Sequence, residues 1–461
     1  MKYCWEIDEG TKMMKRWREW KVNSICVVLS IASLLPQAVL AATIVVNPSS
    51  QWCDAVNNAS PGDEIVFVPG SYADTCWITA RGLPGSPILI RSQSADPSQR
   101  SIFVYPGSAS NVLELIDASY LTLRGFSFNP TQDGVDAIRI RSANDVIIEQ
   151  NLFQGIGGVS IPANDGDTQR ITVRNNIFKD LKYTCLYFGC QDGTTCHTTD
   201  LVIEGNLIDT VTTPYDSSAV GYGLEIKLNS YGTVRDNTLY RTKGPGIMVY
   251  GSNRGDPPSL IEGNYVEGSQ TEGGIVIGGG PAKVRNNVLV GNAYGGISAQ
   301  DYNGRGLQKN VWIVDNTLLN NGDSGINVGS WNAGSGNVIA FNAILPKTGT
   351  PSLRPSSPAG TLIGNVTCPS GSSCFVNATT PPYDLWPSPT SPLLNASGNG
   401  SEPWRPADDF MGVIRGAAAD VGAFERTSST SNHLVGGGNP RPPRVSADTN
   451  PPAAPKNLRI Q

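Results

Sequence analysis

Two side chains stand at equivalent places in a recurring motif, Lys227 in Gly223-Leu-Glu-Ile-Lys227 and Tyr250 in Gly246-Ile-Met-Val-Tyr250. If these segments are neighbouring strands in register, a base and an acid lie within a few ångström to about 7 Å of each other. A lysine whose pKa is lowered by burial or by another cation can take a proton, and a tyrosine can give one. That pair suits β-elimination in a uronate polymer, where the base removes the proton beside the carboxylate and the acid protonates the leaving oxygen. Arg241, Lys243 and Arg254 are the cations nearby in sequence that could neutralise the carboxylate. Two other readings use the same residues. In one, Lys227 simply pairs with Glu225, two residues away on the same face, and Tyr250 packs over it. In the other, Glu225 and Asp301 form the carboxylate pair of a glycoside hydrolase, whose separation sets the stereochemical outcome. Lys227 open to solvent in a groove would mark an enzyme, whereas Lys227 locked against Glu225 on a flat face would mark a binding surface.

The elements that must position these residues repeat along the chain. The motif aligns as Gly158-Val-Ser-Ile-Pro162, Cys185-Leu-Tyr-Phe-Gly189, the two segments above, Gly274-Ile-Val-Ile-Gly278, Gly296-Ile-Ser-Ala-Gln300 and Gly325-Ile-Asn-Val-Gly329. Period-two alternation turns the second and fourth residues inward and the third and fifth outward. Tyr187, Glu225, Lys227, Tyr250, Ser298, Gln300 and Asn327 then form one polar surface, with Gly189 and Gly278-Gly-Gly280 as flat ground beside it. The loops leaving this column, 252–259, 301–310 and 330–337, bring Arg254, Asp301, Tyr302 and Trp331, the last two as walls for stacking on sugar rings.

A second register confirms that the chain coils. Short apolar stretches end in Asn151, Asn176, Asn206, Asn237, Asn264 and Asn287, and Asn316, Asn342 and Asn365 extend the series. Isolated turns explain one such Asn; nine in register call for a solenoid in which the amides stack. The residues two places earlier alternate in sign, Glu149, Arg174, Glu204, Arg235, Glu262 and Arg285, and form an ion-pair ladder that opposes a one-coil slip. The expected fold is all-β: a parallel β-solenoid over 42–427, capped at its start by a short amphipathic helix within 51–59.

A basic stretch, the eleven-residue apolar run Ile25–Leu35 and Val39-Leu40-Ala41 read as a cleaved signal peptide over 1–41, so the protein is expected to be secreted or periplasmic. The run falls short of the roughly 20 residues of a membrane span. Residues 428–461, rich in Gly and Pro, read as a disordered linker or tail whose end resembles the opening of a fibronectin-type module. The net charge is −5, which speaks against a nucleic-acid partner. With two histidines, a Ser-His-Asp mechanism has little to work with. The expected partner is a polysaccharide, bound by a monomer without membrane insertion. Export permits disulfides: the equal spacings pair Cys190 with Cys196 and Cys368 with Cys374, Cys53 with Cys76 is the remaining pair, and Cys185 is left as a buried thiol. A zinc site from Cys185, Cys190, Cys196 and His197 is the competing use of those residues. No cofactor is expected, although Asp133, Asp136, Asp165, Asp167 and Asp192, mainly turn residues, leave calcium open.

Over roughly residues 44–426 the chain resembles the secreted right-handed parallel β-helix polysaccharide-processing proteins, in its Pro61-Gly-Asp-Glu-Ile65 opening, its Asn and Gly-Ile repeats and its Asp420-Val-Gly-Ala-Phe-Glu425 ending. Within that group, 223–251 looks like the segment of alginate lyases and chondroitinase B that carries a lysine base and, one coil later, an Arg-His-Gly acid. Lys227 matches the base. The second position reads Val249-Tyr250-Gly251, so the arginine is absent and tyrosine takes the place of the acid; the acidic residues that bind calcium upstream of the lysine have no counterparts here. The resemblance implies a right-handed, single-stranded parallel β-helix of the pectin-lyase type and a polysaccharide lyase, with a hydrolase, an epimerase or a non-catalytic carbohydrate-binding or adhesion protein as the alternatives on the same scaffold.

Overall fold

In the computed structural model the described residues are 41–444, apart from 49–50, 212–219, 332–334, 370–372, 399–401 and 429–432. The expected signal peptide, but for Ala41, lies outside them. The chain coils into three parallel faces. The first runs strand by strand from Thr43–Val46 to Thr361–Ile363, and the second from Gly70–Tyr72 to Val366–Thr367. The third comprises Cys76–Ile78, Asn111–Ile116 and Asp136–Arg141, followed by eight strands from Ile161–Ala163 to Leu353–Arg354. Every pairing within these faces is parallel, and right-handed crossovers are the rule for such connections.

Apolar alternation builds the interior as expected. On the third face Leu186, Leu224, Ile247, Ile275, Ile297 and Ile326 lie side by side with no exposed surface. On the second face Phe128, Phe153 and Phe178 stack at 4.6 and 4.7 Å with nearly parallel rings. At the start, helix Trp52–Asn57 seats the buried Trp52 on Phe67, Tyr72 and Phe103.

The nine asparagines form a continuous ladder. Each Nδ2 donates to the Oδ1 of the next Asn at 2.8 to 3.0 Å. The same Oδ1 also accepts the backbone N–H of the preceding Asn, so each turn closes its polar groups on the next coil. A shorter second ladder was not foreseen: Ser269 N–H donates to Asn292 Oδ1 and Asn292 to Asn321 Oδ1. Its signal was present in the sequence, since Asn292 and Asn321 each follow a second-face strand at equivalent places. The charge ladder is present but pairs its members in groups: Glu149 takes both Arg124 and Arg174, Glu204 takes Arg235, and Glu262 takes Arg285.

Two expectations need correction. The first motif is displaced by two residues, because Ile161 and not Val159 is the partner of Leu186; the buried Ser160 thus occupies an interior place and Pro162 the outward one. The disordered segment expected from 428 does not hold for 433–444. There Val435 bridges to Tyr383, Tyr240 donates to the Asn439 carbonyl, and the buried Arg441 pairs with Asp236 while its guanidinium lies 4.1 Å from the Phe410 ring. Beyond the single bridge at Val435 this Gly- and Pro-rich segment forms no strand, and side-chain docking holds the rest of it. The foreseen disulfides Cys53–Cys76, Cys190–Cys196 and Cys368–Cys374 are all formed, and Cys185 is a buried free thiol.

The ladder predicts a positional effect. Asn237→Ala strands partners in two neighbouring coils, and with buried unmet groups costing about 1–3 kcal/mol each we expect a loss near 3 kcal/mol. Asn365→Ala, at the half-buried end, should cost about 1 kcal/mol. Urea denaturation of both variants measures this, and equal losses would remove the ladder as the source of register.

Candidate active site

The third face brings Lys227 and Tyr250 together, because Leu224 pairs with Ile247 and both strands continue in step. Gly189, one coil earlier in the same column, makes the room: a Cβ there would come within 3.2 Å of Lys227 Cβ and 2.2 Å of Ser230 Oγ. Lys227 Nζ donates to Glu225 Oε2 at 2.9 Å, with each side chain only 3% exposed. The ammonium also lies 4.0 Å from the Tyr250 ring centroid and 4.8 Å from that of Tyr187. Tyr250 OH donates to the same Glu225 oxygen at 3.4 Å and meets Tyr222 OH at 3.4 Å. Tyr302 packs edge-on against Tyr250 at 4.8 Å, and the Arg305 guanidinium lies 5.1 Å from the Tyr302 ring.

Burial sets the electrostatics. It pulls the Lys227 pKa below the usual lysine range against the opposing charge of Glu225, and Arg305 adds to the lowering. It raises Glu225 despite the attraction of Lys227. The two groups are therefore brought toward one another, which favours the neutral pair over its usual standing. Tyr250 is raised by burial and then by the Glu225 charge, so it stays a proton donor. Burial pushes Tyr222 up to about 12.

Of the two settings expected for Lys227, the structure has the closed one: locked against Glu225 with Tyr250 packed over it. The other expected contacts divide. Tyr187 is half-buried, covers the ammonium and donates from its OH to Gln191. Tyr302 reaches the column through the loop after Ala299, seated on Gly278-Gly-Gly280. A Cβ at Gly278 would meet Tyr302 Cβ at 3.0 Å, one at Gly279 would meet Leu307 Cβ at 2.7 Å, and one at Gly280 would strike the Lys309 carbonyl at 2.0 Å. These glycines are therefore covered by their own chain and are not the flat ground expected. Asp301 accepts Gly306 N–H at 3.0 Å and so shapes its own loop. Gln300 is exposed, whereas Ser298 is fully buried. Asn327 is 7% exposed and reaches Asp323. Trp331, expected as a sugar-stacking wall, is instead 9% exposed within the apolar core. Arg254 is exposed on the loop after Ser252 and is not among the groups around Lys227, while Arg241 pairs with Asp209 on the second face. Tyr222 and Arg305 were missed. Tyr222 directly precedes the Gly223 motif and Arg305 lies in the flagged loop, but no spacing rule aims either at the column.

Metal chemistry has little support in the donor set. Cys190 and Cys196 are joined to each other, which removes the zinc reading of that cluster. Among the described residues, no three His, Cys, Asp or Glu side chains are grouped to hold an ion. Asp133 pairs with Lys182, Asp165 with Arg141, Asp167 with His197, and Asp192 with Thr194 and Thr195; Asp136 accepts Val159 N–H.

Two family profiles match the chain, "Right handed beta helix region" over 216–349 and "Periplasmic copper-binding protein (NosD)" over 56–271. The second description implies copper, and the residues present do not fit it: both histidines contact aspartates and six of the described cysteines are in disulfides. No curated protein matches the chain. Among solved structures, an alginate lyase from Paenibacillus sp. is 15% identical, with 71% of this chain and 99% of that one covered at a TM-score of 0.45. The A-module of a mannuronan C-5 epimerase from Azotobacter vinelandii is 14% identical, with 66% and 87% covered at 0.48. A pectate lyase is 16% identical, with 84% and 96% covered at 0.44. The fold is that of a right-handed parallel β-helix.

Removing one partner of the buried pair leaves the other charge unanswered, so Lys227→Met should cost about 3–5 kcal/mol. Lys227→Met with Glu225→Gln should regain most of that loss. A double-mutant cycle by urea unfolding tests this, and additive losses would show that the two charges do not support one another.

Proposed function

We propose that this is an exported polysaccharide-processing protein that cleaves a uronate-containing chain by β-elimination, with Lys227 as the base and Tyr250 as the acid. What carries this reading is the meeting of a lysine of lowered pKa with a protonated tyrosine on consecutive coils, 4.0 Å from ammonium to ring centroid. Transfer of the Lys227 proton to Glu225 within the buried pair yields the neutral amine that elimination needs. Arg305 is the cation nearest the cluster in electrostatic effect and is the candidate to neutralise the uronate carboxylate. The half-buried Tyr187, Tyr222 and Tyr302 offer ring faces and hydroxyls to sugar units lying along the axis. Because Lys227 is covered, catalysis requires the Tyr187 ring to move aside when the chain binds. Three disulfides suit an oxidising compartment.

The 3% exposure of Lys227 favours a second reading, a non-catalytic carbohydrate-binding surface in which the Lys227–Glu225 pair only steadies the tyrosines above it. Near-ultraviolet absorbance of unsaturated uronates separates the two when the protein meets alginates, pectates and glycosaminoglycans. A lyase gives new absorbance, lost in Tyr250→Phe and in the Lys227→Met/Glu225→Gln double variant. Its rate should rise with pH as Lys227 deprotonates, at lower pH than the ordinary lysine value of about 10.4 would give. Binding of the same polymers without absorbance, unchanged in the double variant, would establish the surface and reject the lyase.

A further inference from the structure

Along the column that ends the first-face strands, neighbouring coils carry opposite charges from Arg124 through Glu149, Arg174, Glu204, Arg235 and Glu262 to Arg285. The rule breaks once, where Arg91 lies directly beside Arg124. Arg91 donates to Glu64 at 2.5 Å in the coil before, and Arg124 bonds Glu149 in the coil after. Among the described residues no carboxylate pairs with both. Like charges on adjoining strands are destabilising, so this step opposes the register that the rest of the ladder enforces.

The same place holds a cavity of about 400 Å³, lined by Arg91, Arg124, Gln93, Gln150, Asn175 and a third arginine, Arg100. Arg100 follows the turn Pro97–Gln99 and lies within the loop that joins the first face to the second. Its Nε is buried and has no hydrogen-bond partner among the described residues. Burial outweighs nearby Asp96 and holds its pKa below the usual arginine range. Asp96 is itself engaged with Ser98. Arg100 adds a third guanidinium to a cavity that already sets Arg91 beside Arg124, and an acceptor bound there would offset the repulsion between them.

We propose that this cavity binds the oxyanion of an acidic ligand, a carboxylate or sulfate group held by Arg100 and shared between Arg91 and Arg124. Guanidinium groups suit such oxyanions because their planar forks donate two parallel hydrogen bonds. The site is on the first face and its junction with the second, apart from the Lys227 column, and it needs no chemistry there. Two sources share this ligand chemistry, the acidic group of a sugar chain and a free inorganic oxyanion.

Calorimetric titration of the full mature protein with sodium sulfate, sodium glucuronate and a short polyuronate, at low ionic strength, tests the proposal. Saturable binding of one or more is expected, with Arg100→Gln weaker by about tenfold and Arg100→Lys in between. Circular dichroism and the melting temperature without ligand check that both variants fold. Sulfate bound as tightly as the sugars marks a general oxyanion site, and preference for the polyuronate marks a sugar-chain site. Binding retained in the Lys227→Met/Glu225→Gln variant keeps this site distinct from the third-face reading, whichever way that one falls. No saturable binding of any probe, or equal binding by Arg100→Gln, would overturn it.

Discussion

The backbone of each coil is hydrogen-bonded to the coil before and the coil after, so the fold depends on how one coil is keyed to the next. The asparagine ladder is that key. A backbone turn buried between two faces leaves amide groups that water cannot reach, and an Asn at this turn meets them with its own amide while handing one oxygen to its predecessor. The bond runs without a break from Asn151 to Asn365. A slip by one residue would break all of these bonds and also turn each inward Leu and Ile toward solvent.

That register is what places the candidate site. Once the turns are aligned, Lys227 and Tyr250 share a column with Glu225 beside them on the same face, and the glycines of neighbouring coils decide how far their side chains spread. Gly189 leaves space for Lys227, and Gly278-Gly-Gly280 admits the loop that carries Tyr302 and Arg305. The outcome is a buried ion pair beneath a layer of aromatic rings. Such a pair is seldom the most stabilising filling of a core, because desolvation opposes the attraction between its members. It does lower the lysine pKa and raise that of the glutamate, a property that an apolar filling lacks.

The ends of the solenoid show a different economy. At the start, Trp52 and the aromatic cluster below it close the first coil. At the far end the chain after the last coil folds back along the second face: Gly422 N–H donates to the Phe341 carbonyl, Ala423 N–H to Thr317 Oγ1, and Arg415 to Asn286 and the Gly422 carbonyl. Residues 433–444 continue over the earlier coils through Arg441 and Arg444. Arginines thus join the returning chain to carboxylates and a side-chain amide oxygen of the coils, in a Pro- and Gly-rich segment poorly suited to a strand ladder.

The sequence by itself determined the coil, its register from Cys185 onward and two of its disulfides, because each rests on a spacing that recurs: Asn at each turn, Gly-Ile on the third face, Cys at equal separations; Cys53–Cys76 followed as the remaining pair. It also placed Lys227, Glu225 and Tyr250 on one face, since strand alternation alone decides which residues share a face. It misjudged matters that depend on where a loop lies. Trp331 went into the core, the three glycines were covered by 301–309, and 433–444 docked on the coils, none of which a local pattern encodes. Only the tertiary structure decided that Lys227 is closed over by Tyr187 and Tyr250, and that Tyr222 and Arg305 stand beside it. The physical reason is that alternation fixes the side of a strand, whereas burial and pKa are set by all the chain segments that arrive there from elsewhere.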